Sequence, residues 1–191
     1  MHDLSSKEQL QNEMASLDKY RIIKELGRGA QAITYLVECS DTSLAAMKVY
    51  SLPTHSEWEA FKYFEREARA LQGIEHPNVP AFLDSFVRLD EQPPKAYLVE
   101  SYVDAQSLAS HMQSGRRFSC DELYDIALQL CDILSDLHQS KPSVIHRDLK
   151  PSNILLDDAG KLYLIDFGVA ASNINDDGSS VSGTFGYMPP E

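Results

Sequence analysis

The chain has 191 residues, of which 43% are hydrophobic and 24% charged, and this ordinary globular composition excludes collagen-like and wholly disordered chains. Asp and Glu outnumber Lys and Arg by 29 to 17, which gives a formal net charge of −12. That balance argues against general nucleic-acid binding, because such binding relies on basic residues to neutralise phosphates. The length favours one domain, or two small lobes of one domain.

The three cysteines are Cys39, Cys120 and Cys131, and none of them has a partner at the short separation typical of zinc ligands. We therefore expect them to be buried apolar residues of a protein in a reducing compartment. No apolar run approaches the roughly 18 residues that a membrane-spanning helix needs. The N-terminus also lacks a basic segment followed by an apolar one. These features predict a cytoplasmic chain without a membrane span.

Hydrophobic periodicity predicts a strand-rich first half. Residues 5–17 predict a short amphipathic helix within an N-terminal arm that covers residues 1–19. Alternating apolar residues and turn residues then predict three strands, a helix that packs on them, and two further strands. In chain order these elements are strands at 20–26, 32–38 and 44–50, a helix at 56–71, and strands at 81–88 and 95–103.

The second half is predicted to be mainly helical. Ser119 and Glu122 form a capping box, which predicts the start of a helix that ends near His138. Residues 172–183 are rich in Ser, Asn, Asp and Gly, so we predict a mobile loop there. The apolar stripe expected to face the core along the helix consists of Leu123, Ile126, Ala127, Leu130, Leu134 and Leu137.

Gly27 and Gly29 begin a G-x-G-x-x-A pattern, which alone is weak evidence because dinucleotide-binding folds and plain turns share it. A dinucleotide-binding fold requires a helix after the glycines and an acidic residue about 20 positions further on. Here strand-like residues follow, and Lys48 stands near that position. Glycines between two strands instead let a hairpin lie close over phosphates.

Six sequence elements match, in order and spacing, the signature set of the protein kinases. They are Gly27 with Gly29, Ala45–Lys48, Glu67, His146–Asn153, Asp166–Gly168 and Pro189–Glu191. The chain therefore resembles a bacterial-like variant of the eukaryotic-type serine/threonine protein kinases over residues 20–191. The resemblance implies an α+β, two-lobed fold. Its N-lobe, residues 20–103, would have five antiparallel strands and one helix, and its partial, mainly helical C-lobe would cover residues 104–191.

The resemblance also implies the substrates and the catalytic residues. ATP and Mg²⁺ would bind, and the γ-phosphoryl group would pass to Ser or Thr of a protein substrate. Lys48, held by Glu67, would bind the α- and β-phosphates. Asp148 would orient the acceptor hydroxyl and take its proton, while Lys150 would neutralise the moving phosphoryl group.

Further positions follow from the same resemblance. Asn153 and Asp166 would hold magnesium through oxygen atoms, which hard cations prefer. His146 matches a residue of a packed column, together with Phe167, Leu71 and Phe82, so it has no predicted role in proton transfer. The matched residues around the adenine ring are Thr34, Ala46 and Leu155, with Ser101 and Val103 in the hinge.

Glu100 departs from the family pattern, because it stands where the family usually carries Met, Leu or Thr at the back of the adenine pocket. A buried, unpaired carboxylate is costly, so Glu100 needs a donor, water or a cation, and Lys48 is the nearest candidate. Alternatively, the alignment shifts by one residue and Glu100 belongs to the hinge itself.

Lys150 and the residues after Gly168 bear on the substrate class and on the control of activity. Lys150 and Thr184 match the family's marks of Ser/Thr specificity. Ser179, Ser180 and Ser182 are candidate autophosphorylation sites, because a phosphate could pair with Arg147 and order the segment. The alternative is that these serines only keep a loop soluble.

The resemblance implies that helices following Glu191 are missing, so part of the stripe between Leu123 and Leu137 would be exposed to solvent or to a covering partner. Two function classes therefore remain open. The first is an active protein kinase, either as a fragment or as a shortened version. The second is a non-catalytic nucleotide-binding or regulatory module, and a dinucleotide oxidoreductase is less well supported than either.

Overall fold

The computed structural model of the chain describes residues 17–52 and 57–168, together with Ala170 and Tyr187. Several predictions concern residues outside these ranges. They are the arm helix apart from Leu17, the loop at 172–183, the candidate sites Ser179, Ser180 and Ser182, and the motif residues Thr184 and Pro189–Glu191.

The chain divides into two compact units. Unit 1 combines the residues up to Glu65 with Phe82–Tyr102. Unit 2 combines Arg66–Ala81 with the residues from Val103 onward.

Unit 1 contains a five-stranded antiparallel sheet with the strand order β1-β2-β3-β5-β4. This sheet confirms the predicted five-stranded architecture. β1 extends beyond its predicted end at Leu26, because Gly27 and Arg28 still pair with Thr34 and Ile33 of β2. The strands are β1 (Tyr20–Arg28), β2 (Ala32–Cys39), β3 (Leu44–Ser51), β4 (Phe82–Arg88) and β5 (Lys95–Ser101).

The two faces of this sheet carry different chemistry. Residues directly opposite each other on paired strands share a face. Thr34 and Leu98 both pair with Lys48, and Glu100 pairs with Ala46. These five residues therefore lie on one face, which we call the Lys48 face. The other face carries the apolar core cluster of Val37, Ala45, Met47, Phe86, Tyr97 and Val99.

Aromatic rings and two partly buried hydroxyl groups order this apolar face. The ring of Phe86 stacks on those of Tyr20 and Tyr97, with centroid distances of 6.3 and 4.8 Å. The Tyr20 hydroxyl donates to Asp84, and the Tyr97 hydroxyl donates to Glu91. Burial, followed by these neighbouring carboxylates, raises the pKa of both tyrosines, so both hydroxyls stay protonated as donors.

The predicted helix of the first half is present as α1 (Glu57–Gln72). Phe64, Ala68 and Leu71 are buried at three- and four-residue spacing, as an amphipathic helix requires. Within unit 1, the ring of Phe64 packs edge-on against Tyr50 of β3 at 5.8 Å. The part of the helix that belongs to unit 1 therefore packs on the sheet through Phe64.

Besides the end of α1, unit 2 contains the helices α2 (Leu108–Gln113) and α3 (Cys120–Gln139) and a three-stranded sheet. Its strands are β6 (Gln106–Ser107), β7 (Ile154–Leu156) and β8 (Leu162–Leu164). The capping box of α3 is confirmed, since Ser119 Oγ accepts from the Glu122 amide and Glu122 Oε2 accepts from the Ser119 amide. The sequence did not predict α2 or β6, because both are too short to show a period.

Two predictions about α3 are wrong. Ile133 and Leu137 are buried, but Leu123 is 53% exposed and Ala127 is also exposed, so the predicted stripe faces the core only toward its C-terminal end. Cys120 and Cys131 are exposed as well, not buried. All three cysteines are free, and Cys39 is half-buried.

Within the described residues, we find no helix with both the length and the apolar character that a membrane crossing demands.

Candidate active site

In unit 1, Lys48 lies near the middle of the sheet on β3 and is 7% exposed. Its Nζ is 3.8 Å from Glu100 Oε1, and the two side chains are 8% and 5% exposed. β5 continues to Ser101, so Glu100 lies inside the strand and not beyond it. The cation that the sequence suggested as a partner for Glu100 is therefore the one found beside it.

The turn that contains Gly29 joins β1 to β2. The Gly29 amide donates to the Ala32 carbonyl at 2.9 Å and closes the turn. A Cβ built on Gly27 would meet no atom within 4 Å, and one on Gly29 would meet only the Ala32 carbonyl oxygen at 3.6 Å. Contacts within the described residues therefore do not require these glycines. The open backbone suits the close approach of a phosphate.

In unit 2, three predicted residues come together in the loop after α3. Asp148 Oδ2 accepts from Lys150 Nζ at 2.6 Å and from Asn153 Nδ2 at 3.2 Å. Asn153 Nδ2 also donates to the Asp148 carbonyl at 3.0 Å, and the Asn153 side chain is buried in the short 3₁₀ turn Pro151–Asn153. These bonds hold the Asp148 carboxylate in one orientation, which general-base chemistry requires.

His146 lies at the start of this loop and is 1% exposed. Its Nε2 lies 3.0 Å from the Ile165 carbonyl, which can only accept, so Nε2 carries the proton. Its Nδ1 then accepts from the Asp148 amide at 3.3 Å. The ring packs edge-on against Phe167 at 4.8 Å. Because both ring nitrogens form hydrogen bonds with backbone groups, the geometry supports the predicted packing role.

Two residues beside this cluster have a positive φ, a region that L-residues other than Asn and Asp rarely adopt, so Arg147 is the unusual one. Arg147 has a φ of 63° and Asp166 a φ of 69°. The conformation of Arg147 costs on the order of 1 kcal/mol and persists only where its neighbours hold it. The Ile165 amide donates to the Asn153 carbonyl at 3.0 Å, which ties the chain before Asp166 to the loop. Strain of this kind clusters at functional sites.

Asn153 and Asp166 offer the oxygen ligands that magnesium prefers. The Asn153 amide nitrogen is committed to Asp148, so Oδ1 remains the acceptor of this side chain; Ser152 Oγ donates to it at 3.2 Å. Magnesium is usually held by one or two protein oxygens together with substrate phosphates, so a larger acidic cluster is not required. In the described ranges, no group of three or more His, Cys, Asp or Glu residues could hold a metal.

The other predicted site residues occupy both units. Thr34 and Ala46 lie on the Lys48 face, and Ser101 is the last residue of β5, with Val103 two positions later. Glu67 lies on α1 and is 1% exposed. Leu155 lies in the middle of β7, where it pairs with Tyr163 and Ser107.

Asn78 is a supporting residue that the sequence did not reveal. Its Nδ2 donates to the Leu162 carbonyl at 2.6 Å, and its own carbonyl accepts from the Leu164 amide at 2.8 Å. It therefore anchors β8, the strand that leads to Asp166. The only signal was a polar residue between the apolar Ile74 and Val79, which is also typical of an ordinary turn.

Comparison with known proteins places the chain in a family. The family described as "Protein kinase domain" matches residues 20–191. The chain is 32% identical over 181 residues to a probable serine/threonine-protein kinase PknB of Lactococcus lactis and 30% identical over 179 residues to the serine/threonine-protein kinase PrkC of Bacillus subtilis. It is 33% identical over 172 residues to a probable LRR receptor-like serine/threonine-protein kinase RPK1 of Arabidopsis thaliana.

These alignments cover 91%, 91% and 87% of this chain but only 28%, 26% and 31% of the three relatives. The chain thus spans about a quarter to a third of their length. The match over residues 20–191, the five-stranded sheet of unit 1 and the ordered motifs agree with one another. The chain belongs to the protein kinase family and is similar to its eukaryotic-type serine/threonine members.

Proposed function

We propose that the chain transfers the γ-phosphoryl group of ATP to Ser or Thr hydroxyl groups of protein substrates. The observation that carries this proposal is the cluster around Asp148, in which Lys150 and Asn153 hold one carboxylate by two hydrogen bonds of 2.6 and 3.2 Å. A kinase needs an oriented carboxylate beside a cation, because its task is mainly positioning and charge stabilisation.

The reaction assigns a role to each of these residues. The acceptor hydroxyl oxygen attacks the γ-phosphorus, its proton passes to the Asp148 carboxylate, and the bond between the γ-phosphorus and the bridging oxygen breaks to leave ADP. Lys150, already beside Asp148, neutralises charge on the moving phosphoryl group. His146 holds the loop but takes no proton, since its Nε2 and Nδ1 both bond to the backbone.

In unit 1, Lys48 and the turn between β1 and β2 would hold the phosphates of the nucleotide. Lys48 would bind the α- and β-phosphates, and the open turn at Gly27 and Gly29 would let its backbone approach them. The remaining assignments rest on resemblance. Glu67 would support Lys48, and Thr34, Ala46, Glu100, Ser101, Val103 and Leu155 would surround the base.

Magnesium, when bound, would neutralise the negative charge of the β- and γ-phosphates. Asn153 and Asp166 would hold it through Oδ1 and a carboxylate oxygen. The hydrogen bonds from Asn153 Nδ2 to Asp148 support this assignment, because they orient the amide so that its oxygen remains available as a ligand.

The test compares the chain with Asp148→Asn, which keeps the shape but removes the base. We expect the rate of phosphate transfer from Mg-ATP, either to a generic basic protein or to residues 172–188 of the chain itself, to fall by about 10²–10⁴-fold. The matched control is Asp158→Asn, which changes the same residue type at an exposed turn position and should leave the rate unchanged.

A thermal shift with Mg-ATP reports binding separately from transfer. Equal transfer by the chain and Asp148→Asn would contradict the proposal. A clear thermal shift without any transfer would instead favour the non-catalytic nucleotide-binding module.

A further inference from the structure

The Lys48 face carries a carboxylate that takes no part in the transfer of the phosphoryl group. Glu100 lies on β5 directly opposite Ala46, and Lys48 is two residues from Ala46 on β3. Lys48 and Glu100 are thus diagonal neighbours on one face, within reach of each other's long side chains. The whole of Glu100 is 3% exposed, so its carboxylate is held inside the unit.

The distance between these charges identifies the kind of interaction. Lys48 Nζ and Glu100 Oε1 are 3.8 Å apart, which is longer than a hydrogen bond between nitrogen and oxygen. The attraction between this pair is therefore Coulombic. It is also weakly screened, because the side chains are only 8% and 5% exposed. Glu100 acts on Lys48 through its negative charge.

A phosphate group and the Glu100 carboxylate are both anions, and Lys48 supplies one positive charge. An anion beside the ammonium offsets part of its positive charge, so the ammonium attracts a second anion less strongly. Two anions close together also repel each other. A nucleotide triphosphate that binds Lys48 must therefore overcome the field of Glu100. An uncharged nucleoside has no phosphates and does not meet this cost.

We propose that Glu100 is a competing partner of Lys48 that weakens the binding of the nucleotide phosphates more than the binding of the base. This inference rests on the proposed function, in which Lys48 binds phosphates. Glu100 attracts the ammonium when no nucleotide is present, and the triphosphate must compete with this attraction when it binds. It thereby sets the affinity for ATP.

The experiment measures the affinities of the full chain for Mg-ATP and for adenosine by calorimetry, before and after Glu100→Gln. This substitution removes the charge and keeps the shape of the side chain. We expect the affinity for Mg-ATP to rise on the order of tenfold. We expect the affinity for adenosine to change by a clearly smaller factor than the affinity for Mg-ATP, because adenosine carries no charge to be repelled.

Glu38→Gln is the matched control, because it makes the same change of charge on the same face. Glu38 lies on β2 and is paired with Arg21 at 2.6 Å on the exposed part of the sheet. We expect Glu38→Gln to change neither affinity. Glu100→Met, an apolar residue of similar size, is the second variant if Glu100→Gln does not fold, and the same result is expected.

The outcomes separate this inference from the proposed function. Equal changes for ATP and adenosine would show that Glu100 acts on the base and would overturn the inference. An unchanged or weaker affinity for ATP would overturn it as well. A chain that binds neither ligand before substitution would contradict the proposed function, and the inference with it.

Discussion

The two units position their charged residues in different ways. In unit 1, Lys48 and Glu100 lie on neighbouring strands of a regular sheet, and the ladder between β3 and β5 sets their distance. In unit 2, Asp148, Lys150 and Asn153 lie in an irregular loop, and individual side-chain hydrogen bonds set their positions. Buried charges on the sheet should therefore influence stability and affinity, whereas the loop residues should influence the chemical step.

The largest effect on stability is expected for Lys48→Met. Removing one partner of a buried ion pair leaves the other charge buried, which costs about 3 kcal/mol. The double variant Lys48→Met with Glu100→Met should recover most of this loss, since apolar replacement of both partners is often neutral. Chemical denaturation measures the difference.

The control for this prediction is Lys24→Met on the exposed part of β1, which should change the free energy of unfolding by less than about 0.5 kcal/mol. If the double variant is as unstable as Lys48→Met alone, charge pairing is not what holds this part of the sheet.

The next effect tests the loop of unit 2. His146→Leu removes the partners of the Asp148 amide and the Ile165 carbonyl, so we expect a loss of about 2 kcal/mol in the free energy of unfolding. We also expect a lower kcat at an unchanged KM for ATP, because the loop that carries Asp148 loses its support. His138→Leu at the exposed end of α3 is the control, and a variant with normal kcat would argue against this support.

A smaller effect lies away from both candidate sites. Ser119→Ala removes the side chain that accepts from the Glu122 amide at the start of α3. We expect a loss of about 1 kcal/mol, which is typical of an N-cap residue. Urea denaturation measures it, and phosphate transfer should stay normal. A loss of activity without a loss of stability would mean that α3 contributes directly to the chemistry.

The smallest effect depends on pH. A hydrogen bond from the Ser119 amide, followed by the contact with Arg116, lowers the pKa of Glu122. Because the pKa is lower in the folded state, the carboxylate stabilises the fold near neutral pH, and this contribution disappears as the pH falls through that pKa. The chain should be slightly more stable than Glu122→Gln at pH 7, and the two denaturation midpoints should converge in acid. A constant difference across this range would contradict the assignment.

The sequence predicted most of the fold, but not the short elements or the solvent-exposed positions of α3. Five strands and α1 were predicted because alternation and a period of 3.6 residues are local signals. α2 and β6 were missed because six and two residues do not display a period. Partial exposure of the α3 stripe was expected, but not that Leu123 and Ala127 would be the exposed positions, since periodicity identifies an apolar stripe but not which part of it neighbouring elements cover.

For the candidate site, the sequence by itself determined which residues to consider, because motifs such as His146–Asn153 are recognised from residue type and spacing alone. Only the tertiary structure decided the distance of 3.8 Å between Lys48 and Glu100, the hydrogen bonds of both His146 ring nitrogens and the anchoring role of Asn78. These depend on strand register and on contacts between distant segments. Local sequence patterns carry no information about either, since both arise only when the chain packs.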